Sequence, residues 1–200
     1  MKQSAFIKAL KFASHAMAVK DIRYYLNGVC LELMGDSLIL IGTDGHRMAW
    51  ATLEDDNSGG IIEGQPHGPQ FIIDGAYVKM LTTMFKESAY DQGHLDFEFN
   101  ADSVTIRGRQ GEMRCKVIEG KFPDWRRVCK RDANPSGAEQ IGVNASYLAE
   151  ASKACGALCD SKYKGMKLAF HGASEAIVAS PTELPMGITE AACVVMPMRL

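Results

Sequence analysis

Apolar and polar positions alternate with a period of two through LELMGDSLILIGT (31–43), LDFEFNADSVTIRG (95–108) and KLAFHGASEAIVAS (167–180). Such alternation marks strands, and small turn residues break each string near its middle. Gly35-Asp36, Ala101-Asp102 and Gly172-Ala173 therefore predict three tight hairpins. A further strand-like run follows each: HRMAWATLE, EMRCKVIEG and AACVVMPM. A segment with helical spacing precedes each. Phe6, Leu10, Ala13 and Met17 share one face of a helix over 4–17, Val78, Leu81 and Phe85 of a helix over 76–87, and Leu148, Ala151 and Cys155 of a helix over 145–158. Asp74 and Asn144 suit the N-caps of the second and third helices. The short strands PQFIID and EQIGVN stand before those two helices, and the first copy lacks such an opening strand.

The repeating unit is thus a strand, a helix and three antiparallel strands, recurring about every 70 residues. It predicts an α+β fold in which a helix stripe is buried on a small sheet and two units together make a core. Three units amount to one and a half such pairs. The turn-rich, charged stretch KRDANPSGAE reads as a linker, and EDDNSGGIIEGQPHG and ESAYDQG as solvated connections. The expected organisation is a domain over 1–129, a linker over 130–138 and a single unit over 139–200.

Composition narrows the chemistry. With 46% hydrophobic and 23% charged residues in 200, the chain can build a core and is not disordered. Lysine and arginine total 22 against 24 aspartate and glutamate, a net charge of −2 that excludes a generally basic nucleic-acid binder. Positive charge gathered on one surface remains open. No apolar run reaches the ~20 residues of a membrane span. MKQSAFIKALKFASHAMA ends like a signal peptide, but Lys8 and Lys11 interrupt its apolar region, so it reads as an amphipathic helix of a cytoplasmic protein. Cys30, Cys115, Cys129, Cys155, Cys159 and Cys193 form no C-x-x-C, and no two histidines share a ligand spacing. Cys155 and Cys159 share a helix face that suits half a metal site, but the thiols read as buried and inert. Asp44 and His46 in TDGHR suit an acid–base pair or a polar turn, with the turn the plainer reading. There is no G-x-S-x-G, P-loop or dinucleotide fingerprint. No catalytic residue, metal or cofactor is expected.

Four strings are more specific. DIRYYLNGV (21–29), TDGHRMA (43–49), EGKFPDWRRV (119–128) and VVMPMRL (194–200), in this order, resemble the bacterial DNA polymerase III beta subunit, the sliding clamp. Residues 3–128 resemble that family's middle domain and 139–200 a compressed last domain. In that last stretch IGVNASYL resembles the opening of the final repeat, and SKYKGMKL the first half of the domain.

The resemblance implies a non-enzymatic processivity factor of DNA replication. Its helices would line a ring around duplex DNA, binding phosphates through positive charge without base readout. Lys8, Lys11, Lys20, Arg23, Lys79, Lys86 and Lys153 are the DNA-facing candidates, with ordinary solvated helix faces as the plainer alternative. The resemblance also implies an apolar cleft where DNA polymerase, the clamp loader and repair proteins dock short peptides bearing Gln and a Leu-Phe pair. The residues implied by position are Leu26, Thr43, Gly45, His46, Arg47 and Met48, then Pro123, Arg127 and Val128, then Val194, Val195, Met196, Pro197, Met198 and Arg199. Leucine, valine and methionine make an adaptable groove, and the arginines suit peptide carbonyls or acidic side chains. With three units per chain, the expected assembly is a homotetrameric ring. The alternative is a module that never encircles DNA and uses the cleft to capture or compete for clamp-binding peptides.

Overall fold

The computed structural model describes residues 1–54, 68–86, 93–129, 141–172 and 174–198. Unit 1 comprises α1 (Gln3–Ser14), β1 (Gly28–Met34), β2 (Ser37–Thr43) and β3 (Arg47–Glu54). Unit 2 comprises β4 (Gln70–Asp74), α2 (Gly75–Met84), β5 (Asp96–Asn100), β6 (Ser103–Gly108) and β7 (Gly111–Lys116). Unit 3 comprises β8 (Gly142–Val143), α3 (Ala145–Leu158), β9 (Met166–Ala169), β10 (Ile177–Pro181), β11 (Ile188–Val195) and β12 (Pro197–Met198). The α+β repeat expected from the periodicity is the architecture observed. Asp74 caps α2 by accepting from Ala76 N at 2.7 Å, and Asn144 caps α3 by accepting from Ser146 N at 2.9 Å. The linker and both solvated connections predicted above fall wholly or largely outside the described residues, as do Ala173 and Arg199.

The units share sheets rather than standing apart. One seven-stranded sheet runs β4-β1-β2-β3-β11-β10-β9, a three-stranded sheet runs β5-β6-β7, and β12 pairs with β8. The opening strand of unit 2, β4, lies antiparallel on β1, from Gly28↔Asp74 to Glu32↔Gln70. Unit 3 joins unit 1 directly: β11 runs antiparallel along β3, from Arg47↔Val195 to Leu53↔Ile188. Where an opening strand of unit 1 was expected to be missing, the first residues pair with the segment just before β5 through a Lys2↔His94 bridge, with Gln3 N bonded to Gly93 O at 2.8 Å. The Ala173 half of the third predicted turn lies outside the described residues; across it Glu175 N bonds to Gly172 O at 3.2 Å, and His171 is buried with Nδ1 3.3 Å from Ala176 O.

Along β1, β2, β3 and β11 the large sheet is buried on both faces. Val29, Leu31, Leu38, Leu40, Ala49 and Ala51 face the helices, while Cys30, Ile39, Ile41, Met48 and Trp50 face away from them. The second face is covered by the segment after β7, whose Phe122 and Trp125 are buried against it. β1 and β2 therefore read as nearly continuous apolar runs, not the half-exposed alternation expected of a one-sided hairpin. Each fully buried Leu, Ile or Phe contributes about 1.5–3 kcal/mol. α1 lies between α2 and α3 and against the sheet, so Ile7, Ala9 and Phe12 are buried along with Phe6, Leu10 and Ala13 of the predicted stripe, while Met17, past the helix end at Ser14, is half-buried. Only the side bearing Ser4, Lys8, Lys11 and His15 reaches solvent. Gly42 lets α1 come close to β2: a Cβ there would sit 2.1 Å from Ala13 O. Among the described residues no helix is long and apolar enough to cross a membrane.

Candidate functional site

The β2–β3 connection, Thr43 to Arg47, is a self-bonded turn. Asp44 Oδ1 accepts from the backbone N–H of His46 at 2.9 Å and of Arg47 at 3.0 Å, and Thr43 Oγ1 accepts from Gly45 N at 3.1 Å while donating to Arg47 O at 2.7 Å. Asp44 and His46 thus make the polar turn rather than an acid–base pair. Gly45 has φ +88°, and a Cβ there would meet Arg23 Nη1 at 2.7 Å, so glycine answers two demands at once. Arg47 is aimed by its ion pair with Asp44 (Nε–Oδ2 2.9 Å) and lies over the Tyr147 ring of α3, 4.9 Å from its centroid. His46 stacks on the same ring.

Arg23, on the loop after α1, is gripped by Asp21 (Nη2–Oδ2 2.7 Å) and donates to Asp44 O at 2.9 Å. The guanidinium beside it holds the Asp21 carboxyl down at about 2, against an ordinary value of 3.8. The far wall is the segment after β7. There Trp125 packs on Trp50 with ring centroids 5.6 Å apart. It also donates from Nε1 to the fully buried Glu32 at 2.9 Å, and Arg126 bonds the other Glu32 oxygen at 2.7 Å. The floor comes from β11 and its continuation, with Met196 N donating to His46 O at 3.1 Å.

These elements enclose a cavity of about 270 Å³ lined by Arg23, Tyr25, Leu26, Thr43, Gly45, His46, Arg47, Met48, Pro123, Asp124, Trp125, Val128, Val194 and Met196. Ten of the residues singled out by position line it. The others do not. Val195 turns to the helix-side core and is 1% exposed, because alternate residues of a strand face opposite ways. Pro197 and Met198 pair with β8. Arg127 is exposed and ion-paired to Asp124 at 2.8 Å. Arg199 lies outside the described residues. Arg23, a DNA-facing candidate on the loop after α1, lines the cleft. Tyr25, Asp124 and Trp125 were missed, although they sit inside the very strings that carried the resemblance.

The lysines divide. Lys79 and Lys86 are exposed on α2 and just beyond it, Lys11 on α1, and Lys20 on the following loop with φ 58°. Lys8 is ion-paired to Asp160, and Lys153 to Glu150 at 3.0 Å. Cys30, Cys115, Cys155, Cys159 and Cys193 are buried and Cys129 half-buried. A hydrogen bond between Cys155 and Cys193 lowers the Cys155 thiol and raises that of Cys193. Among the described residues no cluster of three His, Cys, Asp or Glu is placed to hold a metal.

Repeated helix-and-sheet units joined edge to edge, with an apolar cleft where the first and third units meet, define a clamp-fold protein. The family described as DNA polymerase III beta subunit, central domain, matches residues 1–124, and the chain belongs to that family. It is 32% identical to the Beta sliding clamp of Pseudomonas aeruginosa over 169 residues, 83% of this chain and 42% of that one. To the Beta sliding clamp of Escherichia coli strain K12 it is 25% identical over 170 residues, 84% of this chain and 42% of that one. The chain thus spans about two fifths of the length of the curated relatives it matches. In fold, all of it superposes on 65% of the crystal structure of the beta subunit from DNA polymerase of Streptococcus pyogenes, with a TM-score of 0.77 at 14% identity. It also superposes on 65% of a Pseudomonas aeruginosa sliding clamp crystallised with a ligand, with a TM-score of 0.70 at 22% identity.

Proposed function

We propose that this chain is a non-catalytic peptide-docking module of the clamp type, working in the cytoplasm, whose cleft captures short linear segments of polymerase, clamp-loader or repair proteins. The single observation that carries the reading is the cavity of about 270 Å³. Its apolar lining from Leu26, Met48, Val128, Val194 and Met196 is flanked by the aimed guanidinium of Arg47 and by Trp125. Apolar anchors of a peptide fill such a groove while the arginines orient its backbone. A pocket of this size suits micromolar affinity, roughly −7 to −8 kcal/mol. Calorimetry with a short peptide bearing Gln and a Leu-Phe pair tests it. Met196→Ala should weaken binding about tenfold while the fold holds, because Met196 is 38% exposed and its truncation removes pocket surface, not core. Equal binding by parent and variant would remove the cleft from consideration.

A second reading, a homotetrameric ring around duplex DNA, rests on a different observation. α1 packs against both α2 and α3, and Lys11 on α1, Lys79 on α2 and Lys86 just beyond α2 are exposed. Affinity there would be independent of sequence and steeply salt-dependent. Lys8 and Lys153, already matched by Asp160 and Glu150, contribute less net charge to it than the sequence suggested. In this reading residues 1–129 act as one domain and residues 139–200 as a second, smaller one.

A further inference from the structure

The units differ in what covers the outer edge of their third strand. In unit 1 that strand is β3, and the third strand of unit 3, β11, runs antiparallel along it. In unit 2 it is β7, which pairs with β6 on one side and ends its sheet on the other. β4, which pairs with β1, comes close to β7 but pairs with the chain only just past it, through Ile73↔Val117 and a 2.8 Å bond from Ile118 N to Ile72 O. We propose that β7 is a pairing edge for β7 of a second copy of this chain, antiparallel about a twofold axis, the same kind of contact that β3 makes with β11.

The backbone phase follows from one bond. Val117 N donates to Asp102 O at 2.8 Å, and hydrogen-bonded and non-bonded pairs alternate along an antiparallel ladder. Gly111, Met113 and Cys115 therefore bond to β6, and the N–H and C=O of Glu112 and Arg114 point to the open edge. Their side chains lie on the exposed face, while Met113 and Cys115 turn toward the core. Among the described residues no strand pairs with this row, and such a row is a template for another strand.

Charge selects both the occupant and the register. On the exposed face Asp96, Arg107 and Glu112 are aligned across β5, β6 and β7, and Arg107 is ion-paired with Glu112. This alternating rung ends on a carboxylate at the edge. Arg114 belongs to the next rung, opposite Thr105 and Glu98. With Met113 on the twofold axis, Glu112 of each copy faces Arg114 of the other. The sign alternation then continues across the axis, and about four new main-chain hydrogen bonds form. Sliding by two residues either way sets Glu112 against Glu112 or Arg114 against Arg114, so the edge is complementary to itself in one register.

The contact bears on the ring reading but stands on the sheet edge alone, so loss of DNA retention by a chain that still dimerises would count against the ring and leave this pairing intact. The test is sedimentation equilibrium of the full chain with Glu112→Arg and Arg114→Glu, alone and mixed. The parent should dimerise reversibly. Each variant alone sets like charges opposite at both symmetric positions and should raise the dimer dissociation constant about tenfold or more. An equimolar mixture pairs Arg at 112 with Glu at 114 and should regain parent-like association as a one-to-one heterodimer. A parent that stays monomeric at tens of micromolar overturns the proposal. So do single variants that associate like the parent, as a contact through another edge would allow, and a mixture of folded variants that fails to regain association. Because the mixture uses the same two proteins, its recovery cannot come from a folding difference.

Discussion

Glu32 sits on β1 with its side chain fully buried, and it holds the far wall of the cleft in place. Trp125 Nε1 at 2.9 Å and Gln70 Nε2 at 3.1 Å both donate to Oε2, and Arg126 donates to Oε1 at 2.7 Å. Glu32→Gln keeps the shape and removes the charge. A glutamine offers one acceptor oxygen, so one orientation loses the Arg126 bond and the other loses the Trp125 and Gln70 bonds. Either way an amide N–H₂ faces a donor. Hydrogen bonds to a charged group are worth about 1.5–3 kcal/mol each, and the surviving ones lose their ionic part, so the expected cost is about 2–4 kcal/mol. For a chain of this length that lowers the melting temperature by about 4–16 °C. The two tryptophans of the chain, Trp50 and Trp125, are the pair that meets across this wall. Intrinsic fluorescence therefore reads the wall while far-UV circular dichroism reads the sheets and helices. In the variant the fluorescence transition should come first, with weaker peptide binding. A variant that melts within about 2 °C of the parent, with coincident transitions, would refute the idea that Glu32 holds the segment down.

Gly42→Ala should destabilise the chain by about 3 kcal/mol in urea, since its Cβ would sit 2.1 Å from a main-chain oxygen of α1 and the helix must shift; near-neutral behaviour would show that it moves freely. The depressed Asp21 carboxyl contributes stability that is fully present above its unfolded value of 3.8 and is lost as pH falls toward about 2, so the Arg23 loop should loosen across that window. A carbon-detected titration in which Asp21 shows an ordinary carboxyl value would contradict this. Replacing Lys11, Lys79 and Lys86 with glutamate should abolish salt-sensitive retention on circular DNA with the circular dichroism unchanged, and undiminished retention would show that the helix faces are merely solvated.

The repeat, the three helices, the caps of α2 and α3, and the three-strand pattern of each unit were determined by the chain itself, because hydrophobic period and turn chemistry are local. Helix α3 spans Ala145–Leu158, the residues its periodicity marked. Most of the cleft was legible too, but only through four strings read together, since no single residue type there announces chemistry. What the sequence left open was decided by contacts between distant segments. The segment after β7 covers the outer face of the large sheet and so turns β1 and β2 into two-sided core strands. Through Glu32 it also brings Trp125 to the cleft from 93 residues away. Arg23 reaches the cleft because Gly45 leaves room for its guanidinium and Asp21 holds it there. Val195 leaves it because the pairing of β11 with β3 sets which alternate residues face the helices, and a strand's period of two cannot say which face will be the core. Lys8 and Lys153 look like bare positive charge in the sequence, and the carboxylates that match them were placed by the docking of α1 against unit 3 and by the turn of α3. Local periodicity sets the elements. Which edges meet, and which charges are left over once they do, is settled only when the units share a sheet.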